Sequence, residues 1–254
     1  MHTILVTGGT GTLGKHVVER LRSNGHTVRS VSRHPHPTDE DAFAVDLRNG
    51  TGLNTALEGV DTVVHCASMP TGGDIASATQ LIRAARAAQV EHLVYISIVG
   101  CDRVPLGYYR TKHLVEEALL ASSLGTTVLR ATQFHGLVQG LCARLARLPV
   151  MPAPDVPIQP VDVEEVASRL AELAVGPPSE RVPDLGGPQV ETFEELARTY
   201  LESVGSNKRL WPVNPPGAIM AAARSGGLLA PDRAAGGRTF AEFMAGTSTI
   251  PAPR

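Results

Sequence analysis

Short runs of β-branched and other apolar residues alternate with longer stretches of helical spacing through the first two thirds of the chain. Six of the runs are bounded by turn-forming residues and predict buried strands at 3–7, 27–32, 42–47, 62–66, 92–98 and 126–131. The stretches between them predict helices at 14–24, roughly 50–57, 74–88 and 112–122. Strands that alternate with helices predict the α/β class, with a doubly wound parallel sheet and right-handed crossovers.

The pattern changes after residue 131. Leucines at 137, 141, 145 and 148 form a helical stripe, and the prolines at 149, 152, 154 and 157 that follow predict a loop. Residues 163–175 and 192–204 predict helices, and a short element is expected at 239–244. We therefore expect a core over residues 1–135, to which 158–176 return, and a small irregular cap made of 136–157 and 177–254.

Composition excludes several classes of function. The 254 residues are 43% hydrophobic and 19% charged, with a net charge of −2, so neither nucleic acid nor an anionic membrane is an expected partner. The three cysteines are far apart and lack the spacing of metal ligands, so we expect no metal site and reduced thiols in the cytoplasm. We expect the protein to bind a small-molecule substrate and to be a monomer or a homodimer.

A glycine-rich segment follows the first predicted strand directly, and a predicted helix follows the glycines. In the dinucleotide fingerprint, glycines allow a sharp turn, a close approach to the pyrophosphate and tight helix–strand packing. The helix N-terminus offers N–H groups and a partial positive charge to the phosphates. The segment therefore predicts a Rossmann dinucleotide-binding core, with cofactor contacts from Gly8, Thr10, Gly11, Thr12, Leu13 and Gly14.

The end of the second predicted strand discriminates between cofactors. An acidic residue about 20 positions past the glycines would bind the ribose hydroxyls of NAD(H) and repel a 2′-phosphate. This chain has Ser32 and Arg33 there, and the guanidinium can bind the extra phosphate. We predict NADP(H) as the preferred cofactor and leave NAD(H) open, because a solvated loop arginine is the plain alternative.

The chain resembles the short-chain dehydrogenase/reductase superfamily, in its atypical NmrA-like NAD(P)-binding branch. Motifs at 7–14, 45–47, 63–68, 93–97, 108–112, 128–130 and 160–162 carry the resemblance, which covers roughly residues 1–175. It implies that Asp46, with Leu47, contacts the adenine. It further implies that Cys66, Ala67 and Ser68 line the two riboses of the cofactor.

The same resemblance implies a catalytic set of Ser97, Tyr108 and Lys112. Residues four apart on a helix share a face, so a cationic Lys112 is expected to lower the pKa of Tyr108 toward working pH. The phenol would then exchange a proton with a carbonyl or hydroxyl. By resemblance, Lys112 would also hold the nicotinamide ribose, and Ser97 would polarise the substrate oxygen.

These residues predict an NADP(H)-dependent oxidoreductase that transfers hydride to a small or medium carbonyl or quinone-like substrate. Several alternatives stay open. Tyr109 is adjacent to Tyr108 and is an alternative proton donor. Ile98 stands where reductases of the family often carry a hydroxyl, so the catalytic set is an open question. Other members of the branch are non-catalytic NADP(H) sensors, and epimerases retain their cofactor. Substrate contacts are expected at the carboxyl edge of the sheet, from Gln133, Phe134 and His135, and from the cap.

Overall fold

The computed structural model describes residues 1–35, 39–69, 72–234 and 237–247, except for the side chain of Arg233. The chain divides into two compact units. The first comprises Met1–Cys101, Gly107–Arg130 and Val163–Pro183, and the second comprises Asp102–Leu106, Ala131–Asp162 and Asp184–Arg254. Residues 102–106, 131–135 and 158–162, expected in the core, thus lie in the second unit, whereas 177–183, expected in the cap, lie in the first. The last stretch of the expected cap, 248–254, lies outside the described residues.

A seven-stranded parallel sheet forms the centre of the first unit, as the alternating pattern predicted. Its strands are β1 (Thr3–Thr7), β2 (Thr27–Ser32), β3 (Ala42–Ala44), β4 (Thr62–His65), β5 (His92–Ile98), β6 (Gly125–Ala131) and β9 (Glu180–Arg181). They are arranged in the order β3-β2-β1-β4-β5-β6-β9. Every residue of β4, and nearly every residue of β5, is buried, because helices cover a parallel sheet on its faces.

Helices connect these strands. They are α1 (Gly14–Ser23), α2 (Leu53–Leu57), α3 (Asp74–Ala87), α4 (Gly107–Leu120) and α6 (Val163–Val175). Helix α1 packs against α6, and α3 packs against α4. The apolar faces of α2, α3 and α4 close a core around Leu5, Val63, Leu81, Leu93 and Leu119. The doubly wound α/β fold is therefore confirmed.

The order of the strands reverses beside β1. The chain runs from β1 outward through β2 and β3, then returns to place β4 on the other side of β1. In open α/β sheets, ligands bind at the carboxyl ends of the strands at such a reversal. Here the glycine loop after β1 and residues 66–69 after β4 both lie at this reversal.

The second unit has its own core and two small sheets. Its strands are β7 (Met151–Pro154), β8 (Pro157–Ile158), β10 (Glu191–Thr192) and β11 (Leu210–Val213), paired as β11-β7 and β10-β8. Its helices are α5 (His135–Leu145), α7 (Phe193–Ser203), α8 (Ala218–Arg224) and α9 (Phe240–Thr247), with a 3₁₀ turn at Pro231–Arg233. The core includes Val138, Cys142, Phe193, Leu196 and Met244.

Two local predictions were wrong. Helix α4 begins at Gly107, five residues before the start predicted at 112, and so contains both Tyr108 and Lys112, as their shared helix face requires. The proline-rich segment predicted as a loop contains β7 and β8, because proline is compatible with strands whose N–H edge is unpaired. Within the described residues, no helix is long and apolar enough to cross a membrane.

Candidate active site

The glycine loop packs its backbone against neighbouring strands without room for side chains. Gly8 has a φ of +67°, and a Cβ there would lie 2.9 Å from the Cα of Ala67. A Cβ at Gly9 would overlap the Ser30 hydroxyl, and one at Gly14 would overlap the carbonyl oxygen of Gly8. The loop therefore reaches its conformation only with glycine at these positions.

The loop leads directly into the N-terminus of α1. No side chain caps this helix, and its first turn contains no acidic residue. Thr10, Gly11 and Thr12 are exposed, while Leu13 and Gly14 are buried. The N–H groups of Lys15, His16 and Val17 already donate to the carbonyl oxygens of Gly11 and Leu13. The positive end of the helix dipole still faces the exposed loop and favours an anion such as a pyrophosphate there.

The predicted adenosine contacts lie around the ends of β2 and β3. Arg33 is exposed directly after β2, and the Ser32 hydroxyl is buried and has no hydrogen-bond partner among the described residues. The Asp46 carboxylate accepts a hydrogen bond from the Arg48 N–H at 2.9 Å and so supports the turn after β3. Leu47 packs at the margin of the core.

A cleft of about 520 Å³ opens beside the glycine loop, between α1 and β2. Gly9, Thr10 and Lys15 contribute to its lining. Arg22, which also lines it, is held by the Asp39 carboxylate at 2.9 Å. Lys15 was not among the predicted cofactor contacts, although its place directly after Gly14 is a signal that could have pointed to it.

Tyr108 projects its phenol from the first turn of α4 toward the segment after β4. Its hydroxyl lies 2.5 Å from the hydroxyl of Ser68. The Ser68 hydroxyl in turn donates to Oδ2 of Asp74 at 3.1 Å. Tyr108 is thus the tyrosine joined to Ser68, and Asp74 is a member of this cluster that sequence reasoning missed.

The pKa of Tyr108 is raised and not lowered. Burial raises it, the hydrogen bond with Ser68 lowers it, and the negative charge of Asp74 raises it again. The sequence had predicted a lowered pKa from Lys112 alone, without the buried carboxylate. A raised pKa keeps the phenol protonated at neutral pH, so its hydroxyl is a hydrogen-bond donor in this state.

Lys112 lies one helical turn after Tyr108 and is 3% exposed. Its ammonium is 4.9 Å from the ring centre of Tyr95 and 5.8 Å from that of Tyr108, within the range of cation–π attraction. It also donates to the carbonyl oxygen of Ile96 at 3.4 Å. Burial lowers the pKa of Lys112, and Asp74 is the charge that opposes this shift most strongly.

Other polar groups near Lys112 are held neutral. Burial, followed by the nearby positive charge of Lys112, lowers the pKa of His65 to about 3. Its Nδ1 lies 2.7 Å from the Thr7 hydroxyl, which also accepts the N–H of Ala67. Burial raises the pKa of the Cys66 thiol to about 12, against the pull of Lys112. Lys112 and Asp74 are therefore the principal charges of this cluster.

Ser97 belongs to a different polar cluster from Tyr108. Its hydroxyl is buried and lies 3.8 Å from the Cys101 thiol, which contacts Glu116 at 3.3 Å. Both Glu116 oxygens are bound by Arg130, from Nε at 2.8 Å and Nη2 at 2.6 Å. The structure therefore brings Tyr108 and Lys112 together but gives Ser97 another set of partners.

Cys101, His113 and Glu116 place three potential ligand atoms within 4.8 Å of one another. The Arg130 guanidinium already occupies both oxygens of Glu116 and would repel a cation. Burial raises the pKa of the Cys101 thiol to about 12, so the thiolate that metals require is disfavoured. The ion pair between Glu116 and Arg130 is therefore favoured over a metal site formed by these three residues.

The three predicted substrate contacts lie in the second unit. The Gln133 amide donates to the Leu228 carbonyl oxygen at 3.3 Å. Phe134 is the residue before α5, and His135 begins that helix. The His135 ring is 1% exposed, stacks on Phe243 and lies 2.8 Å from the carbonyl oxygen of Arg238. Their contact with substrate stays a prediction.

A family model described as NAD(P)H-binding matches residues 8–137, about half of the chain. The chain belongs to this NAD(P)H-binding family. The match begins at the glycine loop and extends beyond Tyr108 and Lys112, so it contains both clusters described above. It confirms the resemblance to the NAD(P)-binding branch of the short-chain dehydrogenase/reductase superfamily.

Several known proteins are similar to this member of the family. An uncharacterized protein of Mycobacterium tuberculosis is 28% identical over 204 residues, 76% of this chain and 23% of the relative. Quinone oxidoreductase 2 of Escherichia coli is 30% identical over 128 residues, 47% of this chain and 44% of that protein. The part of each relative that aligns with this chain is thus less than half of that relative's length.

A solved structure shows the same fold. The NADPH-dependent quinone oxidoreductase QOR2 of Escherichia coli, crystallised with NADPH, superposes with a TM-score of 0.80. The comparison covers 96% of this chain and 99% of that one at 22% identity. The similarity confirms the doubly wound α/β fold.

Proposed function

We propose that this protein is an NADP(H)-dependent oxidoreductase that reduces a small or medium carbonyl or quinone-like substrate. The observation that carries the proposal is the placement of Tyr108 and Lys112 in one cluster with residues 66–68, beside the glycine loop. The loop backbone, which leaves no room for a Cβ, and the uncapped start of α1 fit a dinucleotide phosphate.

Each residue has a physical role in this proposal. The loop 8–14 would hold the pyrophosphate, and Cys66, Ala67 and Ser68 would line the riboses. Lys112 would bind ribose hydroxyls with its buried ammonium, and Tyr108 would donate a proton to the substrate oxygen. The nicotinamide supplies the hydride when the cofactor is bound. Ser97 would enter only if its hydroxyl left the Cys101 and Glu116 cluster.

The preference for NADP(H) depends on Arg33. This side chain is exposed directly after β2, where the adenosine ribose of a Rossmann cofactor is recognised. No acidic residue occupies that position to repel a 2′-phosphate. The structurally similar quinone oxidoreductase QOR2 of Escherichia coli is NADPH-dependent, which agrees with this preference.

Replacing Arg33 with alanine should weaken NADPH binding about 10- to 100-fold, because a charge-assisted bond to the 2′-phosphate is lost. NADH affinity should remain unchanged. Fluorescence titration of both cofactors measures the two dissociation constants. Arg86→Ala removes an exposed arginine from α3 and serves as the control. Equal losses for both cofactors would contradict the assignment.

Steady-state NADPH consumption against a panel of quinones, ketones and aldehydes tests the function itself. We expect oxidation of NADPH with at least one class, with one substrate reduced per NADPH consumed. Tight cofactor binding without oxidation across the panel would indicate a sensing protein. Turnover of a sugar nucleotide without added NADPH would indicate an epimerase. Either of these results would overturn the proposal.

A further inference from the structure

Asp74 is a buried carboxylate that none of the roles above uses. It is the first residue of α3 and is 4% exposed. Its Oδ1 accepts the N–H of Met69 at 2.5 Å, and its Oδ2 accepts the Ser68 hydroxyl at 3.1 Å. Both bonds join the start of α3 to the segment after β4. A buried carboxylate needs such partners, because an unpaired buried charge is costly.

The Ser68 hydroxyl has one proton and lies between two oxygens. While Tyr108 is protonated, the phenol donates to Ser68 and Ser68 donates to Asp74, so each oxygen has a partner. When the phenol loses its proton, Ser68 can donate to the phenolate or to Asp74 but not to both. Deprotonation of Tyr108 therefore leaves one of two negative groups without its hydrogen bond.

The titratable groups around Tyr108 lie on three elements. Lys112 faces its ring from the same helix, and Asp74 faces its hydroxyl through Ser68 from α3. Tyr95 lies opposite on β5, and burial raises the pKa of its phenol strongly, so it stays neutral. One buried cation and one buried anion thus act on Tyr108 with opposite signs.

We propose that Asp74 is a positioning residue whose negative charge keeps Tyr108 protonated and balances the buried charge of Lys112, and whose hydrogen bond to Ser68 fixes the hydroxyl that holds the Tyr108 phenol in place. This proposal deepens the proposed function, on which it rests, because it explains how the proton donor for reduction is kept protonated and in place. The proton that Tyr108 gives to the substrate oxygen is replaced from water after product release, so one proton is consumed per hydride transferred.

The test is the ultraviolet titration of Tyr108, obtained as the difference between each variant and the same variant carrying Tyr108→Phe. Asp74→Asn removes the negative charge but keeps an oxygen for Met69, so the pKa of Tyr108 should fall by about one pH unit. Ser68→Ala removes the donor to the phenolate and leaves the carboxylate, so the pKa should rise. A loss of packing alone would not shift the two variants in opposite directions.

Glu58→Gln is the matched control, since Glu58 is an exposed carboxylate of the same unit, at the end of α2. It should leave the titration unchanged. An unmoved pKa in Asp74→Asn, or shifts of the same sign in both variants, would overturn the proposal. Should Asp74→Asn fail to fold, Ser68→Ala decides alone, because a lowered or unchanged pKa contradicts the proposal.

The titration needs neither substrate nor cofactor, so it is independent of the proposed function. Opposite pKa shifts without NADPH oxidation would leave the positioning role standing and reject the reductase. Where turnover is found, the alkaline limb of kcat should move to lower pH in Asp74→Asn, with Glu58→Gln unchanged. Turnover with an unmoved titration would reject the positioning role and retain the reductase.

Discussion

Tyr108→Phe should reduce the rate of NADPH-dependent reduction by about 10²- to 10⁴-fold, the usual contribution of a positioned general acid. The hydroxyl of Tyr108 lies next to that of Ser68, and the Lys112 ammonium lies over the face of the Tyr108 ring. Phenylalanine keeps the ring beside the ammonium and removes the proton donor alone. Cofactor affinity should therefore stay within about twofold, because the cation–π contact is preserved.

Single-turnover kinetics and a NADPH binding titration measure these two quantities separately. Tyr109→Phe is the matched control, since it removes the adjacent phenol from the same helix. We expect it to retain nearly full turnover. Full activity in Tyr108→Phe, or a loss confined to Tyr109→Phe, would move the proton donor to another residue.

Arg130→Met should destabilise the protein by about 3–5 kcal/mol, because it leaves the buried charge of Glu116 without its partner. Both side chains are about 2% exposed, and two hydrogen bonds of 2.8 and 2.6 Å join them. Methionine retains most of the volume of the arginine stem. The midpoint of urea unfolding measures the change in the free energy of unfolding.

The double variant Glu116→Leu with Arg130→Met should recover most of this loss, because an apolar pair of similar volume replaces the ion pair. No recovery in the double variant would show that packing and not charge explains the single variant. Exposed Arg198, paired with Glu194 on α7, is the control, and Arg198→Met should cost less than about 1 kcal/mol.

The same pair predicts a dependence on pH. Burial on its own raises the pKa of Glu116, but its hydrogen bonds, led by the bonds from Arg130, and the charge of Arg130 outweigh burial and lower it. A carboxylate with a lowered folded-state pKa stabilises the protein above its unfolded pKa and loses this contribution as the pH falls through the folded pKa. Arg130→Met should therefore reduce the acid sensitivity of stability that Glu116 causes.

The strands and the glycine loop were predictable because local patterns determine them. β-branched runs such as 3–7 and 92–98 form buried parallel strands whatever their distant partners are. The steric need for glycine at 8, 9 and 14 is likewise local to one turn and its neighbouring strands. Tyr108 and Lys112 were predictable as a pair, because four positions on a helix bring two side chains to one face.

The contacts of Asp74 and the partners of Ser97 were not predicted from the sequence. Asp74 lies only six positions after Ser68, but the two residues share no helix or strand, so no regular spacing predicts their contact. Tertiary packing decides the partners of Ser97. Tyr95 and Ser97 share a face of β5, yet Tyr95 approaches Lys112 whereas Ser97 lies near Glu116, one turn further along α4. The resemblance identified the residue types, and the packing of α4 decided which of them meet.

The prolines of β7 have a consequence for association between chains. In the β7–β11 pair, the N–H groups of Met151 and Asp155 point toward β11 and donate to Arg209 and Val213. In an alternating strand, Pro152 and Pro154 face the other edge, and neither has an N–H to present there. The outer edge of this strand therefore lacks hydrogen-bond donors at those two positions. An incoming strand from a second chain would find half of its hydrogen bonds missing there, which protects the protein against edge-to-edge aggregation.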